Sequence, residues 1–237
     1  MTTVIVGSNN PSLYSMTDRV VRPDRIIPIQ EVMKIAENDP IWSARGKAIQ
    51  SYAVLEQSLS RALALLGGMT LEIAATIFYK ITSTGSRNAI LEKLIHKKHG
   101  QKFNLFWNSY FRELRTIDIK RHEIVHWLSA TNAAFNDQHM LLVGVMLVPP
   151  TYWGADPTLP RLLTGDLTAF SEKCDVFSRL CVMFTGATDE EGDRPDPAIF
   201  APWLEIFQQP LVYPLPMDHP INQMPVTPET QPQSPRG

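Results

Sequence analysis

Apolar side chains recur at helical spacing through the middle of this 237-residue chain. Ile49, Tyr52, Leu55, Leu59, Leu63 and Leu66 follow one another, after Asp39-Pro40 and before Gly67-Gly68. An acidic cap with a first-turn proline opens a helix, and glycine past the last apolar position closes one, so this stretch predicts a long amphipathic helix. Thr70 is placed to cap a second helix that turns Ile73, Ala74, Ile77, Phe78 and Ile81 to the core. After a break at Ser83-Thr84-Gly85-Ser86, a third presents Ile90, Leu91, Leu94 and Ile95 as far as Gly100. Phe103, Phe106, Tyr110, Leu114 and Ile117 mark a further helix, leading through Thr116-Ile117-Asp118 into one that carries Ile124, Val125 and Leu128. Residues 40–132 thus predict an antiparallel bundle and an all-α fold class.

The flanks read differently. Residues 1–29 contain Pro11, Pro23 and Pro28 without a sustained period and predict an irregular arm; Val4-Ile5-Val6 before Gly7 is too little for a nucleotide-binding strand and turn. Residues 138–148 are rich in Leu, Val and Met and stop at Pro149-Pro150, which predicts a β-hairpin appendage near 138–150. Helical spacing returns through Leu167, Phe170, Cys174, Phe177, Cys181 and Phe184, a closing helix for the bundle. The predicted organisation is one helical domain over 30–185, a short helical extension over 186–209, and a tail over 210–237. Eight of the tail's 28 residues are proline, so it is expected to stay extended or disordered and to serve as a linker or peptide ligand.

A chain with 44% hydrophobic residues and this length buries one good core, which favours one domain with appendages. The net charge of -2 hides an asymmetry: residues 80–121 hold 10 Lys/Arg against 3 Asp/Glu, whereas residues 150–237 hold 5 against 12. A basic middle suits a phosphate-bearing partner, although lysines on helices also form ordinary solvated faces. Cys174 and Cys181 lie on one helix face, too far apart along it for a mutual disulfide, and read as buried apolar residues. No basic-then-apolar leader opens the chain, and the longest apolar run, 140–148, is too short to span a bilayer. A cytoplasmic, reducing setting without membrane contact is the expectation.

Two catalytic patterns overlap in Arg121-His122-Glu123-Ile124-Val125-His126-Trp127. From His122 it is H-E-x-x-H, in which two histidines one turn apart hold zinc and Glu123 is the general base of a metalloprotease. A catalytic zinc needs a third protein ligand, and the longer form of that pattern asks for Gly and His where this chain has Ser129 and Asn132. Glu172 is a substitute that nothing singles out, and Lys120 and Arg121 are unwelcome beside a dication. From Arg121 the same stretch is R-x-x-x-x-H with a polar residue directly after the arginine.

That second form, set in a helical bundle beside Tyr52-Ala53-Val54-Leu55-Glu56, resembles the HEPN family (higher eukaryotes and prokaryotes nucleotide-binding) over residues 40–185. The hairpin and the proline-rich tail lie outside the common bundle and leave the subfamily open. The resemblance implies a metal-independent endoribonuclease, toxin-like or defence-like, in which a 2′-hydroxyl of single-stranded RNA attacks the neighbouring phosphate. His126 would move the proton and Arg121 would hold the phosphate oxygens, with His122 and Glu56 supporting and no cofactor. Residues five apart on a helix diverge by about 140°, so both reach one phosphate only if the helix begins near Arg121 or a second protomer completes the cleft. The family's homodimers would meet that need. The rival readings are a catalytically inert module that binds RNA or protein, with an antitoxin-like or tail-binding partner, and the zinc protease. Trp107 and Tyr110 read as core, with base stacking the sharper alternative.

Overall fold

A computed structural model of the chain describes residues 3–6, 19–21, 26–135, 141–151, 160–189 and 197–223. The fold is all-α with a small β appendage. Among the described residues the helices are α1 (Ile29–Glu37), α2 (Ile41–Gly67), α3 (Leu71–Lys80), α4 (Thr84–His99), α5 (Asn104–His126), α6 (Thr164–Thr188) and α7 (Pro197–Ile206).

The most extensive helix pairing is α2 against α6. Both helices bury small residues between large ones: Ser51, Ser58 and Ala62 on α2, and Ser171, Cys174, Ser178 and Cys181 on α6. Small side chains let the two backbones approach, and the Cys181 thiol lies 3.5 Å from the Ser58 carbonyl oxygen, which accepts its hydrogen bond. Burial pushes both cysteine thiols up to about 12, so they stay protonated and act as apolar packing. Beside this seam, Phe103, Phe106, Trp107 and Tyr110 of the α5 region interlock with Phe177, Phe184 and Phe207, mostly ring edge against face. Trp107 and Tyr110 are therefore core, and the Tyr110 hydroxyl is spent on the Phe177 carbonyl at 2.9 Å.

Helix ends follow the local chemistry. Gly68 adopts the left-handed conformation that stops α2, Thr70 accepts from the Ile73 amide to start α3, and Ser83 accepts from the Ser86 amide to start α4. Asp39 does two jobs: one carboxylate oxygen takes the Ile41 amide at 2.9 Å, and the other takes the Val145 amide at 3.0 Å. The start of α2 is thereby tied to the sheet.

The two helices expected around Thr116-Ile117-Asp118 are one, α5, which ends at His126; Leu128 begins a strand, so the helical part of 40–132 stops short. The hairpin pairs β4 (Leu128–Phe135) with β5 (Leu141–Val148) in antiparallel register, from Leu128 opposite Val148 to Phe135 opposite Leu141. Its first strand is poor in large apolar residues, which is why periodicity gave no sign of it. Val145 and Leu147 join the main core, whereas Ala130, Met146 and Val148 form a small cluster of their own, as alternation along a strand requires. The arm is not wholly irregular: β1 (Thr3–Val6) adds in parallel to β4, and β2 (Arg19–Val21) pairs with β3 (Ile26–Pro28). Helix α1 was not expected, because only Val32 and Ala36 anchor it. In α3 only Ala74 and Phe78 are buried; Ile73 and Ile77 face outward.

The tail also departs from expectation in its first half. Leu211 and Ile221 are buried, the Leu211 amide donates to the Ser109 hydroxyl at 2.7 Å, and Arg179 donates to the Ile221 carbonyl at 3.2 Å. Proline density prevents regular helix but does not prevent burial. Residues 224–237 lie outside the described residues. Ile221→Ala should cost about 2–4 kcal/mol and lower the melting temperature by roughly 5–15 °C, as should truncation after Tyr213; an unchanged melting curve would show that this segment does not contribute to the core.

Candidate functional site

The last turn of α5 lies where helix gives way to strand within two residues. Such an end leaves backbone carbonyls without helical partners. Arg45, half-buried on the first turns of α2, satisfies them: its Nε donates to Ile124 O at 2.9 Å, and its Nη2 donates to Val125 O at 3.0 Å and to Trp127 O at 3.3 Å. A planar fork matches this cluster of acceptors, and a cation at a helix C-terminus is electrostatically favourable. Burial lowers the pKa of this guanidinium from its ordinary value. The end of α5 is thus held in place by a residue 80 positions earlier than the Val125 carbonyl it binds.

His122 and His126 project from this end and are exposed, with ring centroids 4.3 Å apart and planes at 44°. His126 is therefore not a core histidine. Arg121 is half-buried, its guanidinium carbon 5.4 Å from the centre of the Tyr52 ring, and it forms no ion pair among the described residues. Glu123 is taken by Lys120, three residues back on the same helix, at 2.6 Å. Glu56 does not orient Arg121 or His122; it pairs with Arg87 at 2.7 Å, and that guanidinium lies 4.7 Å from the centre of the Phe78 ring. The carboxylate expected to support the motif serves α4 instead.

Helix α5 is regular and begins at Asn104, far from Arg121. The condition that the helix start near the arginine fails, and within one chain Arg121 and His126 point about 140° apart. The structure groups His126 differently. Arg112, Arg115, Ile119, His122 and His126 are all exposed and follow at intervals of three and four, so they form one stripe along α5. By helix geometry Arg115 lies about 20° around the axis from His126 and roughly 16 Å along it. This stripe could have been found by testing the polar positions for helical period as the apolar ones were tested. The basic middle, in contrast, is no single patch: His96, Lys97, Lys98 and Lys102 sit at the opposite end of α5, about 34 Å from His126.

Beneath Arg121 lies a polar network that the sequence reading did not assemble. The Tyr52 hydroxyl donates to Asp118 at 2.9 Å, and Thr84 and the Arg87–Glu56 pair line the same small cavity. Burial raises the phenol of Tyr52, with the charges of Asp118 and Glu56 adding to the effect. Burial likewise raises the Asp118 carboxyl, against the opposing hydrogen bond from Tyr52. The buried Asn88 amide nitrogen next to this network has no hydrogen-bond partner among the described residues. For metal, the described residues contain no group of three or more His, Cys, Asp or Glu; His122 and His126 are a pair without a third ligand, and Glu172 does not join them.

A carboxyl whose folded pKa is raised contributes stability that is present below the unfolded value and is lost as pH rises through the folded one. Asp118→Asn keeps an acceptor for Tyr52 without that titration. The variant's melting temperature relative to wild type should therefore be higher at pH 7 than near pH 4; the reverse trend would show that the carboxylate, not the acid, is what the fold favours.

Compared with protein-family models, with curated proteins and with solved structures, the chain gives no match.

Proposed function

We propose that the C-terminal end of α5 is an RNA-cleaving surface that works without metal. The carrying observation is the pair of exposed imidazoles, His122 and His126, on the same helix end as an arginine, Arg121, that forms no ion pair among the described residues. Support comes from the R-x-x-x-x-H resemblance to HEPN bundles and from Arg112 and Arg115, which extend the stripe that a phosphate backbone could follow. In this reading the 2′-oxygen of single-stranded RNA bonds to phosphorus and its proton passes to neutral His126. The bond from phosphorus to the 5′-oxygen breaks, that oxygen takes a proton from water, and a 2′,3′-cyclic phosphate remains. Arg121 binds the phosphate oxygens as charge accumulates on them, and His122 supports His126. Because Arg121 and His126 diverge on one chain, a second copy supplies one of the two, which makes the working unit a homodimer.

A second reading is a protein-binding module without activity. It is favoured by the outer side of α3, where Leu71, Ile73, Ile77 and Tyr79 are exposed. The metalloprotease reading has less support, since Glu123, which would be its base, is paired with Lys120 and no third ligand stands near by among the described residues.

Cleavage of single-stranded RNA is expected to persist in excess EDTA, and a substrate with 2′-deoxy residues should resist, since it lacks the internal nucleophile. His126→Ala and Arg121→Ala should each reduce the rate by about a hundredfold or more with the fold intact, whereas Glu123→Ala should change it by only a few fold. Absence of cleavage by the wild type under all conditions would reject the ribonuclease in favour of the binding module, and loss of activity in Glu123→Ala would point to a metal centre.

A further inference from the structure

Two imidazoles one helical turn apart on an exposed face are a chelating unit. His122 and His126 meet that description: they stand at i and i+4 with ring centroids 4.3 Å apart, and neither has a hydrogen-bond partner among the described residues. Two ring nitrogens bound to one ion at about 2.0–2.1 Å lie about 3 Å from each other, a separation these exposed rings reach by side-chain torsion alone. The other close histidine pair, His96 and His99 on α4, is not equivalent, because the His99 ring packs edge-on against Phe103 and Phe184.

The surroundings show what such an ion would have to be. The charge of Lys120 is offset by Glu123 at 2.6 Å, and Arg121 is drawn towards Tyr52. The carbonyls of the helix end, which would otherwise attract any cation, are occupied by Arg45. What remains is nitrogen donation. Hard cations such as Mg2+ and Ca2+ gain little from it, whereas borderline transition ions gain most.

We propose that His122 and His126 bind one divalent transition cation of the Cu2+, Ni2+ or Zn2+ class as a two-histidine chelate, with water in the remaining positions. With no third His, Cys, Asp or Glu beside the pair among the described residues, the ion exchanges readily and is not a resident centre. Resting on the ribonuclease reading, one consequence follows: the ion occupies the lone pair with which His126 would accept a proton, so the metal is an inhibitor and not a cofactor.

The test is calorimetric titration of the metal-stripped full-length protein with NiCl2 and with ZnCl2, which needs no RNA. One ion per chain is expected, with affinity lowered on the order of tenfold or more in His122→Ala and again in His126→Ala, and unchanged in His96→Ala. No saturable binding, or binding that survives both single variants, overturns the site. In a separate arm, saturating Zn2+ should stop RNA cleavage and EDTA should restore it; cleavage that continues with the ion bound overturns the inhibitory role. A protein that binds the ion through both histidines but cuts no RNA supports the site and refutes the ribonuclease reading instead.

Discussion

Arg45 holds together the part of the molecule where helix and sheet meet. Three carbonyls, those of Ile124, Val125 and Trp127, would otherwise be left without protein partners at an abrupt change from α5 to β4. A single fork from α2 takes all three, which allows the chain to enter a strand directly after His126 without a capping loop. Asp39, six residues earlier, anchors the other strand of the hairpin through the Val145 amide. The first turns of α2 thus fix both strands of the appendage and the end of α5, and with it the outward position of His122 and His126.

The rest of α2 connects that end to the core. Its small residues pack against the Ser and Cys positions of α6, and its Tyr52 and Glu56 enter the polar network with Asp118 and Arg87. Tyr52 has two roles, hydrogen-bonding Asp118 through its hydroxyl and carrying the Arg121 guanidinium on its ring. Arg121 is consequently positioned from below by a buried residue, while His126 is exposed at the surface beside His122. The two motif residues have different freedom as well as different directions.

Helices α2 to α6 were legible through a strong apolar period or a chemical stop: Gly67-Gly68, Thr70 and Gly100 mark ends, whereas α1 gave no such signal and the break expected over Ser83-Thr84-Gly85-Ser86 shrinks to the cap Ser83, with α4 starting at Thr84. What was illegible depends on residues far apart in sequence. The strand at Leu128–Phe135 exists through its pairing with β5 and β1, and its own residues, mostly Ala, Ser, Thr and Asn, carry no signal. Nothing in the local sequence distinguishes Arg45 from other helix residues; its role comes from the end of α5 packed against it. Glu56 lay on the right helix to meet Arg121, but Arg87 from α4 reaches it instead. Residues 210–223 looked unstructured by composition, and the burial of Leu211 and Ile221 among them depends on a core that only the assembled helices form. Of the candidate site, the exposure of the histidine pair could not be told from the motif; the divergence of Arg121 from His126 could be, once α5 was known to be continuous.

The central claim is that one catalytic unit draws Arg121 from one copy and His126 from another. Mixing Arg121→Ala protein with His126→Ala protein under conditions that exchange subunits measures this directly. Each mixed dimer then has one complete and one empty site, so the mixture should recover about a quarter of the wild-type rate of RNA cleavage although each variant alone is inactive. A mixture as inactive as its components, with mixed dimers present, would contradict the account.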